Sequence, residues 1–124
     1  MESPLTLMGT GMPVLQALRV GQAVVPLTGV GTAQAGGTAI NDLHDIVLAT
    51  TAASQTAFVL PAASAPGHEV TVYNLTSTTA LVFPDLGGTI DAGTVNASVN
   101  VLGVPGARRF IKTSSLTWIS MVTA

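Results

Sequence analysis

From about residue 38 onward, apolar and polar residues alternate in short runs. Ile46 and Leu48 share one side of residues 45–50. Val70, Val72 and Asn74 share one side of residues 69–74, with Glu69, Thr71 and Tyr73 on the other, and Val99 and Val101 alternate within residues 98–102. A period of two marks a β-strand with one face buried. Further short runs, 57–60, 80–83, 107–112 and 116–122, carry the same β-branched and aromatic bias. Between them lie turn formers: residues 61–67, Pro84-Asp85-Leu86-Gly87-Gly88, Gly103-Val104-Pro105-Gly106 and Thr113-Ser114-Ser115. Strands recurring every 8–12 residues or so predict an all-β domain, an antiparallel β-sandwich of jelly-roll-like or Ig-like type. The predicted core is Ile46, Leu48, Phe58, Leu60, Val70, Val72, Val82, Ile90, Val99, Val101, Phe110 and Trp118. No fixed-period repeat is evident.

The first forty residues differ in texture. Glycine and proline at positions 9, 11, 13, 21, 26, 29, 31, 36 and 37 break regular elements. The expected organisation is an extended N-terminal arm with a Gly-rich linker over residues 1–37, then a β-sandwich domain over 38–124. The arm is rich in large apolar residues, which sets it apart from sequences that stay unfolded. Leu5, Leu7, Val14, Leu15 and Leu18 are its candidate contacts with a neighbouring subunit.

Charge changes this picture most. The chain has four basic and six acidic residues among 124, or 8% charged, where soluble domains run near ~25%. A chain of this mass exposes roughly 6,000 Å², so its surface is sparsely charged and suited to being covered by other protein. Neutrality of this kind steers neither nucleic acid nor an anionic membrane. No stretch of about 18 uninterrupted apolar residues predicts a membrane span. Residues 1–13 carry Glu2 and lack the basic start of a secretory signal. Without cysteine there are no disulfides or thiolate metal sites.

Candidate chemistry is thin. Asp42 and His44 would share a strand face, but two ligands do not hold a metal, and the pair reads as a turn in which Asp42 caps backbone amides. His68 beside Glu69 lacks an oriented nucleophile. The glycines from 29 to 37 lack both the dinucleotide-binding and the P-loop pattern. No catalytic, cofactor or metal residue is expected. Asn74-Leu75-Thr76 and Asn96-Ala97-Ser98 match the glycosylation sequon by chance at turns. Arg108, Arg109 and Lys112 gather most of the positive charge within five positions. Arg108 and Phe110 face one way, Arg109 and Ile111 the other. The trio fits either a solvated strand face or a docking patch for an acidic protein surface.

An ordered series of motifs then stands out: Leu60-Pro61-Ala62-Ala63, Gly67-His68-Glu69-Val70-Thr71-Val72-Tyr73-Asn74, Val82-Phe83-Pro84, Gly87-Gly88-Thr89-Ile90, residues 96–101, Arg109-Phe110-Ile111 and Trp118. Across residues 45–122 this series resembles small β-rich virion proteins of tailed bacteriophages, most of all capsid decoration (cement) proteins. The resemblance implies a structural, non-enzymatic protein, assembled in the host bacterial cytoplasm, that sits on the phage head. It would act as a homotrimer that binds the major capsid protein and bridges capsid subunits. The alternative is a tail- or fibre-associated adhesion or carbohydrate-binding module. Residues 1–40 take no part in the resemblance.

Overall fold

A computed structural model describes residues 23–52, 54–103 and 106–122. These form ten strands and no helix: β1 (Val24–Thr28), β2 (Thr38–Ala39), β3 (Ile46–Thr50), β4 (Ala57–Val59), β5 (Glu69–Asn74), β6 (Ala80–Phe83), β7 (Thr89–Ile90), β8 (Val99–Val101), β9 (Gly106–Ser114) and β10 (Thr117–Val122). The all-β expectation holds. Sheet A has the order β1-β3-β5-β9-β10-β7 and sheet B the order β2-β4-β6-β8.

The path between the sheets corrects the antiparallel sandwich. The chain passes from one sheet to the other at every step from β1 to β8. Consequently β1, β3 and β5 stack in parallel in sheet A, and β2, β4 and β6 stack in parallel in sheet B. This is a β-solenoid arrangement of three rungs. Parallel neighbours need a long crossover, and here each crossover is a strand of the opposite sheet. The alternation of side chains is the same for either pairing, so it does not distinguish them. What does distinguish them is the rarity of two-residue turns: the tight hairpin is the one joining β9 to β10 through Ser115 and Leu116. A repeat is present after all, but of uneven length. Val24 stands beside Ile46 and Ile46 beside Thr71, intervals of 22 and 25 residues. Unequal loops hide that period from a search for a fixed one.

The last strands close the stack. β9 pairs antiparallel with β5 and with β10, β7 then pairs in parallel with β10, and β8 pairs antiparallel with β6. The core fills the space between the sheets and comprises Ile40, Val47, Ala49, Phe58, Leu60, Val70, Val72, Ala80, Val82, Ile90, Val101, Phe110 and Trp118, with Leu27 and Val99 packed against it. Nine predicted core residues are buried there. Ile46 and Leu48 are not: Val47 and Ala49 turn inward instead. Residues 46–49 are apolar on both sides, so alternation leaves the inward set open. Register decides it, because Val47 lies between Val25 and Val72 on the inner face.

The proposed boundary at residue 37 also moves. β1 belongs to sheet A, and residues 29–37 form a hydrogen-bonded loop of the fold rather than a linker. Within that loop Thr56 N–H donates to Gly31 O at 2.7 Å and Gln34 Nε2 to Pro84 O at 2.6 Å. Gly29 is required where β1 leaves the sheet, because a Cβ there would sit 2.8 Å from the Thr56 carbonyl carbon.

Candidate interaction surface

The basic strand is β9, and its pleat separates the three cations. Even-numbered residues point inward and odd-numbered ones outward. Arg108 turns toward the end of β10, where its Nε donates to Ser120 Oγ at 2.8 Å and its terminal nitrogen lies 3.6 Å from Asp91 Oδ2. Asp91 also accepts from Ser120 N–H at 2.7 Å. It is presented there by a turn in which Asp91 and Ala92 both have positive φ and Gly93 N–H donates back to Ile90 O. Arg109 points outward, 3.6 Å from Glu69 Oε1.

Lys112, the chain's one lysine, is 2% exposed. Its Nζ donates to Ala62 O at 3.1 Å and lies 5.5 Å from the centroid of the Trp118 ring. The indole N–H of Trp118 donates in turn to the buried carboxylate of Asp85 at 2.9 Å. The ring thus separates a cation over its face from an anion at its N–H edge, an arrangement that suits the ring's charge distribution. Lys112 is therefore part of the interior. The expected docking patch of Arg108, Arg109 and Lys112 reduces to Arg109 as its outward-facing member. The other candidate contacts, Leu5, Leu7, Val14, Leu15 and Leu18, lie outside the described residues.

What the outward face of sheet A presents instead is apolar. Register aligns one row across five strands as Val24, Ile46, Thr71, Arg109 and Met121. Beside it run Pro26, Leu48 and Tyr73 on one side, and Glu69, Ile111 and Ile119 on the other. Val24 is 55% exposed, and Tyr73, Ile119 and Met121 are each 40–42% exposed. The outer face of a sheet with one buried side is ordinarily polar. Here Glu69 and Arg109 are the charged residues among those rows.

The edge of sheet A is treated differently from its face. Ile46 N–H donates to Ala23 O and Gly29 N–H to Thr50 O. Odd-numbered residues of β1 therefore turn their backbone groups to β3, and Val24, Pro26 and Thr28 turn theirs to the edge that no described strand pairs. The missing N–H of Pro26 falls on that edge, and the Thr28 carbonyl is occupied by Thr38 Oγ1. Proline at an edge blocks the addition of another strand.

Several other polar groups serve the fold. Asn41, not Asp42, caps the turn before β3: its Oδ1 accepts from Leu43 N–H, and His44 Nδ1 accepts from Asn41 N–H. Asn74 is fully buried. Its Nδ2 donates to Thr78 O and Val101 O, and its Oδ1 accepts from the backbone N–H and Oγ1 of Thr76. A sequon asparagine so enclosed cannot carry a glycan. Among the described residues no three His, Asp or Glu side chains gather as metal ligands. A hollow of about 260 Å³ lies among residues of β8, β9 and β10, lined by apolar groups together with Asn100 and Arg108. The residues lining it include no nucleophile or acid–base pair. Compared with family models, with curated proteins and with solved structures, the chain matches none.

Proposed function

We propose that the chain is a structural virion protein of a tailed phage, one that binds the outer surface of the capsid and stabilises it by bridging capsid subunits. The observation that carries this reading is the apolar outer face of sheet A in a chain with so few charges. Contiguous apolar surface of that kind marks a site of protein contact. The motif series from Leu60 to Trp118 supplies the choice of particle. A solenoid sheet offers a stiff, broad platform, and stiffness favours bridging because little freedom is lost on docking. The test is to mix the purified chain with expanded capsids that lack it, then follow occupancy and the temperature of capsid disruption. Binding with a raised disruption temperature is expected; no binding and an unchanged temperature overturn the reading.

One observation favours a second reading, an adhesion or carbohydrate-binding module. Tyr73 is exposed on the face, where a sugar ring could stack. Trp118, the other aromatic suited to that role, is buried. Glycan binding lost in Tyr73→Ala would establish this alternative.

A further inference from the structure

We infer that residues 32–36 form a hinged strap over the outer face of sheet B, one that opens without unfolding the sheets and bares an apolar strip beneath it. The inference concerns sheet B and does not rest on the functional reading above.

The strip comes first. Phe58 and Val82 point into the core, so their strand neighbours Ala57, Val59 and Phe83 point to the other side of sheet B. An outward face is ordinarily polar and wet, yet Ala57 is fully buried and Phe83 is 9% exposed. Val59 stands beside Phe83 in register. The cover shows itself at Gly37. A Cβ there would meet Val59 Cγ2 at 3.1 Å, the Ala33 carbonyl oxygen at 3.2 Å and Ala57 Cβ at 3.3 Å. These three atoms converge on one point, so the main chain at Ala33 lies against the outward side chains of β4. Glycine at 37 leaves room for that approach.

The attachment is slight. Both flanks of the strap are fixed: Gly31 O accepts from the N–H groups of Thr56 and Ala57, and Ile40 N–H donates to Val59 O. Between them, among the described residues, residues 32–36 make one hydrogen bond to the rest of the fold, from Gln34 Nε2 to Pro84 O. Hinges stand at both ends. Gly31 and Gly36 have φ 69° and 84°, and a Cβ on either would meet nothing within 4 Å. Such residues change φ and ψ at low cost. Thr32, Ala33, Ala35 and Gly36 are exposed. A segment with one polar anchor and few buried groups opens at lower free energy than the sheets it lies on. Closed, it shields the strip. Open, it gives sheet B an apolar surface that the resting fold withholds.

The chain has no cysteine, so a single introduced thiol can report on the strap. Ala57→Cys places one beneath it. Val72→Cys places one between the sheets, where Val72 is fully buried. Val59→Cys takes the place of the first should Ala57→Cys fail to fold by circular dichroism. The measurement is the rate of labelling by dithiobis(nitrobenzoate) in the full chain, from 0 to about 2 M urea. The thiol at 57 is expected to react at a rate nearly independent of urea. The thiol at 72 should react more slowly, with a rate that climbs steeply, because global unfolding is what reaches it. Gln34→Ala removes the anchor and should speed labelling at 57 by about three- to tenfold, its urea dependence still flat. Gly37→Ala wedges a methyl group under the strap and should act in the same direction. Equal rates and equal urea dependence at 57 and 72 overturn the inference, since the strap would then open only with the whole fold. Labelling at 57 as fast as in the urea-unfolded chain also overturns it, since nothing would cover that site. So does a rate at 57 that neither Gln34→Ala nor Gly37→Ala moves.

Discussion

Single residues in this fold are held by unusually specific partners. Asp85 is buried, and among the described residues its side chain has one hydrogen bond, from Trp118 Nε1. Trp118→Phe keeps most of the apolar contact but leaves the carboxylate without a donor. The expected cost is about 2–4 kcal/mol, read from urea unfolding followed by circular dichroism. An unchanged midpoint would mean that Asp85 finds water or another donor. A second residue works in the opposite direction. Ala92 has φ 57° in the turn that presents Asp91, a conformation that strains any side chain with a Cβ. Ala92→Gly should therefore stabilise the protein by about 0.5–1 kcal/mol, raising the thermal midpoint by roughly 2–5 °C. A fall in the midpoint would show that the turn gains more from alanine's stiffness than it loses in strain.

Among the elements, β1 sets the limit of what can be removed. It starts at Val24 and supplies one side of the β3 ladder. Deleting residues 1–20 is expected to leave the strand signature in circular dichroism intact while lowering capsid occupancy. Deleting through residue 30 also removes β1 and bares the β3 edge, which has no proline, and aggregation should follow. Loss of the strand signature in the shorter deletion would place the N-terminal segment in the core. This is also the scale at which sequence reasoning succeeded and failed. Strand positions were legible because alternation at Val70, Val72 and Asn74 is a local property of the pleat. The inward side of residues 46–49 was not, since it depends on Val25 and Val72 above and below. Parallel pairing was equally hidden, because it is fixed by where the chain crosses between sheets. The basic cluster looked like a patch because charge was counted along the chain, while β9 sends Lys112 inward and Arg109 outward. The apolar outer face could be found only after register placed Val24, Ile46 and Met121 in one row.

For the whole molecule, the scarcity of charge acquires a location. Lys112 and Asp85 are interior, Arg108 and Asp91 engage each other at the end of β10, and Asp45 accepts from Ala23 N–H. Little charge is left to keep copies apart in solution, and among the described residues the outside of sheet A is largely apolar. The solenoid itself makes that surface possible, since three rungs in register align side chains into rows that extend from β1 to β10.

The C-terminal hairpin has a further consequence, one of timing. β9 and β10 stand between β5 and β7 in sheet A, although they follow β7 in the chain. During synthesis the N-terminal rungs emerge first and can stack as they appear, because each contacts the one before it. β7 has no neighbour in sheet A until residues 106–122 arrive. A nascent chain halted before that point carries an unpaired β5 edge and lacks Phe110 and Trp118, two of the largest core side chains. The fold thus makes completion depend on its last described strands, and an interrupted product would present the surfaces that quality-control proteases and chaperones recognise.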